Sequence, residues 1–229
     1  MMGRAFISAV AALILVGCAG SAPEDDKILY MAVGASDAVG VGANPLTDGY
    51  VYRIEDDLED RGKDVKLVNL GIPGADLDLL DDAVDAALRA GVRPDLVTIW
   101  VGANDLIEGD DADDFESELG ELLDRLRDDT SAFIVIANLP DLTELPRFQE
   151  DPLDTVTRER IQAFNDAIED QADEYDVPVV DLAAEEVKDK YVSDVDGFHP
   201  NDAGHRRLAE LFLDVILPEV AIGGHLQPS

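Results

Sequence analysis

Short apolar runs alternate along the chain with longer stretches in which hydrophobic residues recur every three or four positions. The runs are Ile28–Val33, Val65–Leu70, Leu96–Val101, Phe133–Asn138 and Val177–Val180. Strands covered on both faces read this way, because neither side of the pleat meets water. The helical period appears in about Gly49–Arg61, Asp76–Ala90, Asp113–Arg127 and Thr155–Tyr175, and in a last segment Asp202–Leu217. Within Asp76–Ala90, Leu77, Leu80, Val84 and Leu88 fall on one stripe, and Gly91 supplies a stop. The last segment sets Leu208, Leu211 and Leu213 among charges. Alternation this regular implies parallel strands joined by right-handed crossovers. The pattern therefore predicts an α/β protein, a three-layer α/β/α sandwich around a sheet of about five strands, with residues 28–220 forming one domain.

Open parallel sheets bind ligands beyond the carboxyl ends of their strands, near the point where strand order reverses. The loops after the strands thus become the places to search. Ser36 follows the first strand, and "NLGIPGAD" with Asn69, Gly71 and Gly74 follows the second. "VGAND" with Asn104 follows the third, and "DVDGFHPND" with Asp196 and His199 comes after the last. Four separated segments place small or polar residues on one edge of the sheet.

The ends change the picture of where the protein works. "MMGRAFISAVAALILVGCAG" has one early positive charge, Arg4, and a short apolar run ending in small residues, the pattern of a secretory signal. The run is short for a membrane span. Leu15-Val16-Gly17-Cys18 resembles a lipoprotein processing box, with lipid added to the sulfur of Cys18; the alternative is an ordinary signal that happens to contain a cysteine. Residues 19–27 then form a polar tether and 221–229 a tail. This predicts export and anchoring in the cell envelope, facing outside the cytoplasm, since each buried acyl methylene contributes about 0.8 kcal/mol. Cys18 is the only cysteine, so an internal disulfide and a cysteine-based metal site are both excluded.

Charge narrows the partners. Seventeen Lys and Arg face 51 Asp and Glu, a formal net charge of −34. Self-repulsion of that size destabilises a compact chain unless counterions screen it, which points to a salt-rich setting. Nucleic acid is excluded as a partner, because phosphate binding needs a basic face. Anionic lipid surfaces would repel the chain apart from its anchor.

The stretch "LYMAVGASDAVGVGA" poses the chemical question, because Ser36 stands alone among small residues. A phosphate-binding loop needs a Gly-Lys-Ser/Thr ending that is missing here, and a dinucleotide fingerprint would need a third glycine beyond Gly40 and Gly42. By itself Ser36 reads as the N-cap of a tight corner. The distant residues favour another reading. A hydroxyl becomes a nucleophile when a histidine takes its proton and a carboxylate orients that histidine. Asp196 and His199 stand three apart, close enough to meet. His205 falls inside the last helix as a surface or packing residue, and His225 lies in the tail. "EGDDADD" lacks the spacing of a calcium loop and reads as a solvated helix start. Ile99 and Trp100 read as core rather than substrate platform. Asn138–Phe148 reads either as a loop whose leucines line an acyl pocket or as a packed connection.

"VGAS", "NLGIPG", "GAND" and "DGFHP" occur in this order across most of the chain. Together they resemble the four motif blocks of the SGNH hydrolases, also called GDSL esterases and lipases. The resemblance implies a flavodoxin-like sheet and hydrolysis of small-molecule esters or thioesters, lipid or acetylated-carbohydrate esters among them, without metal or organic cofactor. It implies Ser36 as nucleophile, His199 as general base and acid, and Asp196 as the orienting carboxylate. The oxyanion hole would comprise the amides of Ser36 and Gly74 and the side chain of Asn104. Two blocks depart from the family pattern: Ala35-Ser36-Asp37 replaces Asp-Ser-Leu, and Ala103 replaces a glycine. An acyltransferase or thioesterase on the same site remains open, as does a non-catalytic envelope lipoprotein that binds carbohydrate or lipid.

Overall fold

The computed structural model describes residues 27–44 and 46–223. The signal segment with Cys18, residues 19–26 of the tether, and residues 224–229 with His225 lie outside the described residues. The chain runs β1 (Lys27–Gly34), α1 (Ser36–Val39), α2 (Tyr50–Asp60), β2 (Asp64–Asn69), α3 (Leu77–Arg89) and β3 (Leu96–Trp100). It continues through α4 (Ala103–Glu108), α5 (Ala112–Asp129), β4 (Phe133–Ala137), α6 (Pro146–Glu150), α7 (Arg158–Glu174), β5 (Val179–Val180) and α8 (Asp202–Gly223).

The five strands form one parallel sheet in the order β2-β1-β3-β4-β5. The chain leaves β1 toward one edge and returns past it to β3, so strand order reverses at β1. Ser36 follows β1, at the switch point where open α/β sheets bind ligands. Both faces are covered, as the near-continuous apolar strands require. On one face Leu77, Leu80, Val84 and Leu88 of α3 pack with Phe115, Leu119 and Leu122 of α5 and Phe164 and Ile168 of α7. Those four α3 residues are the stripe read from the sequence. On the other face Tyr50, Ile54 and Leu58 of α2 meet Phe212 and Ile216 of α8.

Several boundaries differ from the sequence reading, each for a local reason. Lys27, placed in the tether, opens β1 and pairs in register with Asp64. The last strand begins at Val179 rather than Val177, because the Val177 amide is taken by the Ala172 carbonyl and Pro178 has no amide to give. The last helix passes through Pro218 to Gly223 instead of stopping at Leu217, so the tail from 221 starts as helix. A proline there forfeits its own amide bond to the preceding turn, and the helix nonetheless continues past it. Short α4 went unread: it lies between two left-handed glycines, Gly102 and Gly109, and six residues are too few to show a period. Asp111 caps α5 by accepting from the Asp113 amide, which fits "EGDDADD" as a helix start. Among the described residues no helix is long and apolar enough to cross a membrane.

Candidate active site

Ser36 is the first residue of α1, turned up from the end of β1, and is buried. His199 and Asp196 come from the loop between β5 and α8. Asp196 Oδ1 accepts from the amides of Phe198 (2.9 Å) and His199 (3.0 Å), a turn closed by one side chain. This curl aims Asp196 Oδ2 at His199 Nδ1, 2.7 Å away. His199 Nε2 lies 2.9 Å from Ser36 Oγ, across 163 positions of sequence. Ser36, His199 and Asp196 thus form one hydrogen-bonded line. The neutral tautomer that fits it donates from Nδ1 to the carboxylate and accepts from the serine hydroxyl at Nε2. Burial pulls the Asp196 carboxyl upward, but the bonds from the His199 ring and the two amides outweigh it and leave its pKa below the ordinary carboxylate value.

The loop holding His199 is fastened on several sides. The Ser193 amide donates to the His199 carbonyl at 2.8 Å, and Val192 bridges Pro200. The Gly197 carbonyl accepts from the Arg147 amide of α6 at 3.0 Å. Gly42 presses on the loop from the other side. A Cβ at Gly42, whose φ is +94°, would meet the Pro200 oxygen at 2.1 Å and the His199 Cβ at 3.0 Å. Glycine in "GVGANP" therefore serves the close approach of one loop to another.

The second and third blocks are locked to each other and to the serine corner. Asn69 donates to the Ala38 carbonyl of α1 (2.8 Å) and accepts from the Gly71 amide (2.8 Å). Asp105, buried in α4, accepts from the Leu77 amide at 2.8 Å and so holds the segment carrying Gly74. Burial raises the Asp105 pKa, and that amide bond works against the rise. Asn104 Nδ2 donates one hydrogen to the Ala75 carbonyl at 2.6 Å, which fixes the amide plane and leaves the other hydrogen for a ligand. Gly74 has φ +78° with open space where a side chain would stand. Ser36, Ala75 and Asn104 line a small hollow of about 20 Å³ with Asp37, Trp100 and Phe198. The structure thus gathers Ser36, Asn104, His199 and Asp196 at one edge, with Gly74 next to Ala75.

Sequence reasoning missed three residues here. Trp100 reads as core but is only half-buried and lines the hollow. Asp37 follows the serine directly; its Oδ1 is sealed from solvent with no hydrogen-bond partner among the described residues. Desolvation lifts the Asp37 carboxyl to a pKa of about 6, with His199 pulling it down and Asp196 pushing it up. The departure from the family pattern at this position was the available signal. Asp105 gave none beyond its place in "GAND". His205 takes the packing alternative: fully buried, it accepts from the Tyr50 amide at Nδ1 (3.3 Å) and donates from Nε2 to the Val41 carbonyl (2.9 Å). Burial lowers its pKa and keeps it neutral. The leucines of Asn138–Phe148 are packed in the core, as a packed connection requires, and also line a cavity. Among the described residues no group of three His, Cys, Asp or Glu side chains could hold a metal ion.

Solved structures of similar shape share the fold at low identity. The structure of TesA has a TM-score of 0.68 at 23% identity, over 83% of this chain and 98% of that one. A lipase/acylhydrolase from Enterococcus faecalis also has a TM-score of 0.68, at 20% identity over 88% and 98%. The acetyl xylan esterase AlAXEase has a TM-score of 0.66 at 22% identity, over 82% and 100%. No curated protein sequence matches the chain. The family model described as GDSL-like lipase/acylhydrolase matches residues 32–207, a span that holds all four loops of the site. The chain therefore belongs to the GDSL-like lipase/acylhydrolase family and is a hydrolase of ester bonds.

Proposed function

We propose that the protein is a serine esterase that cleaves carboxylic esters through an acyl-enzyme. Ser36 Oγ attacks the ester carbonyl while His199 Nε2 takes its proton, and the carbonyl electron pair moves onto oxygen. The backbone amides of Ser36 and Gly74 and the free Nδ2 hydrogen of Asn104 receive that oxyanion. These donors are held in place beforehand, so little reorganisation is required as charge develops. Collapse of the tetrahedral species breaks the bond to the alcohol, and His199 returns its proton to the leaving oxygen. Water then repeats the sequence against the acyl-enzyme and frees the acid and Ser36. Asp196 keeps the imidazole in the useful tautomer and stabilises its charged form.

The observation that carries this reading is the line of 2.7 and 2.9 Å contacts from Asp196 through His199 to Ser36. Hydrolysis of a nitrophenyl ester tests it. The parent turns the ester over, and Ser36→Ala reduces turnover to background; an alanine variant with parental turnover would remove Ser36 from the chemistry. We further propose that Cys18 carries the lipid that tethers this activity to the envelope, and that the acidic surface suits a salt-rich medium. Mass analysis of the membrane fraction, with Cys18→Ala as control, tests the anchor.

A further inference from the structure

A second cavity adjoins the serine hollow. It measures about 120 Å³ and shares Asp37, Trp100, Ala103 and Phe198 with the hollow that holds Ser36. Six leucines form the largest group among its remaining walls, with Val187 and Val192 beside them and Glu185, Glu186, Lys188 and Arg207 also in the lining. Leu139, Leu142 and Leu145 come from the core on one face of the sheet, and Leu182 and Leu208 from the core on the other. The two cores meet here because β5 is only two residues long, so the sheet ends before it can separate them. Leu211 of α8, half-buried, completes the wall. Glu185 and Arg207, paired at 2.8 Å and each about a third exposed, also line the cavity, as do the more exposed Glu186 and Lys188.

We propose that this cavity is the subsite for an apolar arm of the ester, acyl or alcohol, no bulkier than about a benzene ring. The substrates are then short-chain or aromatic esters rather than acetylated polysaccharide or long-chain lipid. The size follows from comparison: an apolar cavity of about 150 Å³ takes up benzene. The apolar character follows from six leucines with Val187, Val192 and Phe198 in the lining, against which a carbohydrate hydroxyl would give up its hydrogen bonds to water. The upper limit follows from the volume, since a longer chain would have to leave the apolar space past Glu185, Glu186, Lys188 and Arg207. The shared wall sets the position, because any group bound there lies against residues that also bound the serine hollow.

This inference rests on the esterase reading, and one experiment separates the two. In one arm, nitrophenyl esters run from acetate through butyrate and hexanoate to decanoate. In the other, acetate esters run from methanol through butanol and benzyl alcohol to decanol. Each is run on the parent, Leu211→Phe and Leu211→Ala. The parent's kcat/KM rises about tenfold or more from the smallest member to the pocket-filling one in one arm, then falls. The arm that shows the peak identifies the acyl or the alcohol side. Leu211→Phe lowers the hexanoate-to-acetate ratio, or its alcohol counterpart, and Leu211→Ala moves the peak to longer chains. Turnover with no peak in either arm, or a peak that neither variant moves, overturns the subsite and leaves the esterase standing. Absence of turnover on every ester overturns both. Trp100 is the only tryptophan and lines the cavity, so it supplies a readout without chemistry. Hexanol shifts its emission saturably in the parent and in Ser36→Ala, and more weakly in Leu211→Phe; an emission that hexanol leaves unchanged in the parent overturns the subsite.

Discussion

The loop that carries His199 and the corner that carries Ser36 face each other across 2.9 Å, yet they are built on opposite terms. Around His199 the polar groups of the line are paired: both Asp196 oxygens, both ring nitrogens, the amides of Ser193, Gly197, Phe198 and His199, and the carbonyls of Ser193, Gly197 and His199. Beside Ser36, Asp37 keeps an oxygen sealed without a partner among the described residues, where Tyr50 Oη and Trp100 Nε1 also lack one. A saturated network holds one geometry, because every displacement breaks a bond in a medium where bonds are strong. An unpaired buried carboxyl costs stability when charged. In the proposed mechanism the rigid half keeps the base on target, and the unsatisfied half borders the cavity proposed for the substrate.

The largest effect should come from disturbing the saturated side at its orienting carboxylate. Asp196→Asn preserves shape but takes away the charge that steadies the imidazole, and kcat should fall about 10⁴-fold, as in serine proteases. A loss of less than about tenfold would mean that Asp196 only shapes the loop. Gly42→Ala comes next. Its new methyl would press on Pro200 and His199 from outside the network, and a displacement of about 1 Å there should cost on the order of 10² in kcat with KM little changed. Circular dichroism of the variant checks that the fold survives.

The smallest effect, and the one most specific to the contrast, belongs to Asp37. The folded chain holds the Asp37 proton up to about pH 6, whereas the unfolded chain releases it near 3.8. The folded state therefore binds more protons in between, and stability is lost as pH rises through that window. Asp37→Asn should stabilise the protein by on the order of 2 kcal/mol at pH 8 and leave it unchanged at pH 3. Denaturant titrations at the two pH values read this directly. Equal stability of parent and variant at pH 8 would show that Asp37 pays no penalty for its charge.

The sequence exposed much of this plan because rare residues at strand ends are conspicuous. With three histidines in the chain, His199 stood out by its neighbours Asp196, Gly197 and Pro200. The buried stripe of α3 was visible because thirteen residues give the helical period more than three turns. What escaped was whatever depends on contact. Asp105 and Asn69 brace the site through bonds to the amides of Leu77 and Gly71, and no spacing rule encodes them. In the sequence Gly42 reads only as part of an incomplete nucleotide motif, whereas in the fold Pro200 lies against it. Trp100 ends a buried strand, and only the end of the sheet reveals that one side of its ring borders a hollow.

The central claim is that the hydroxyl after β1 is chemically activated by its neighbours. A fluorophosphonate probe, followed by mass mapping of the labelled peptide, asks this without choosing a substrate. The expected result is one adduct on Ser36 in the parent, with labelling slowed by orders of magnitude in His199→Ala. Labelling of another residue, or Ser36 reacting equally fast without His199, would contradict it.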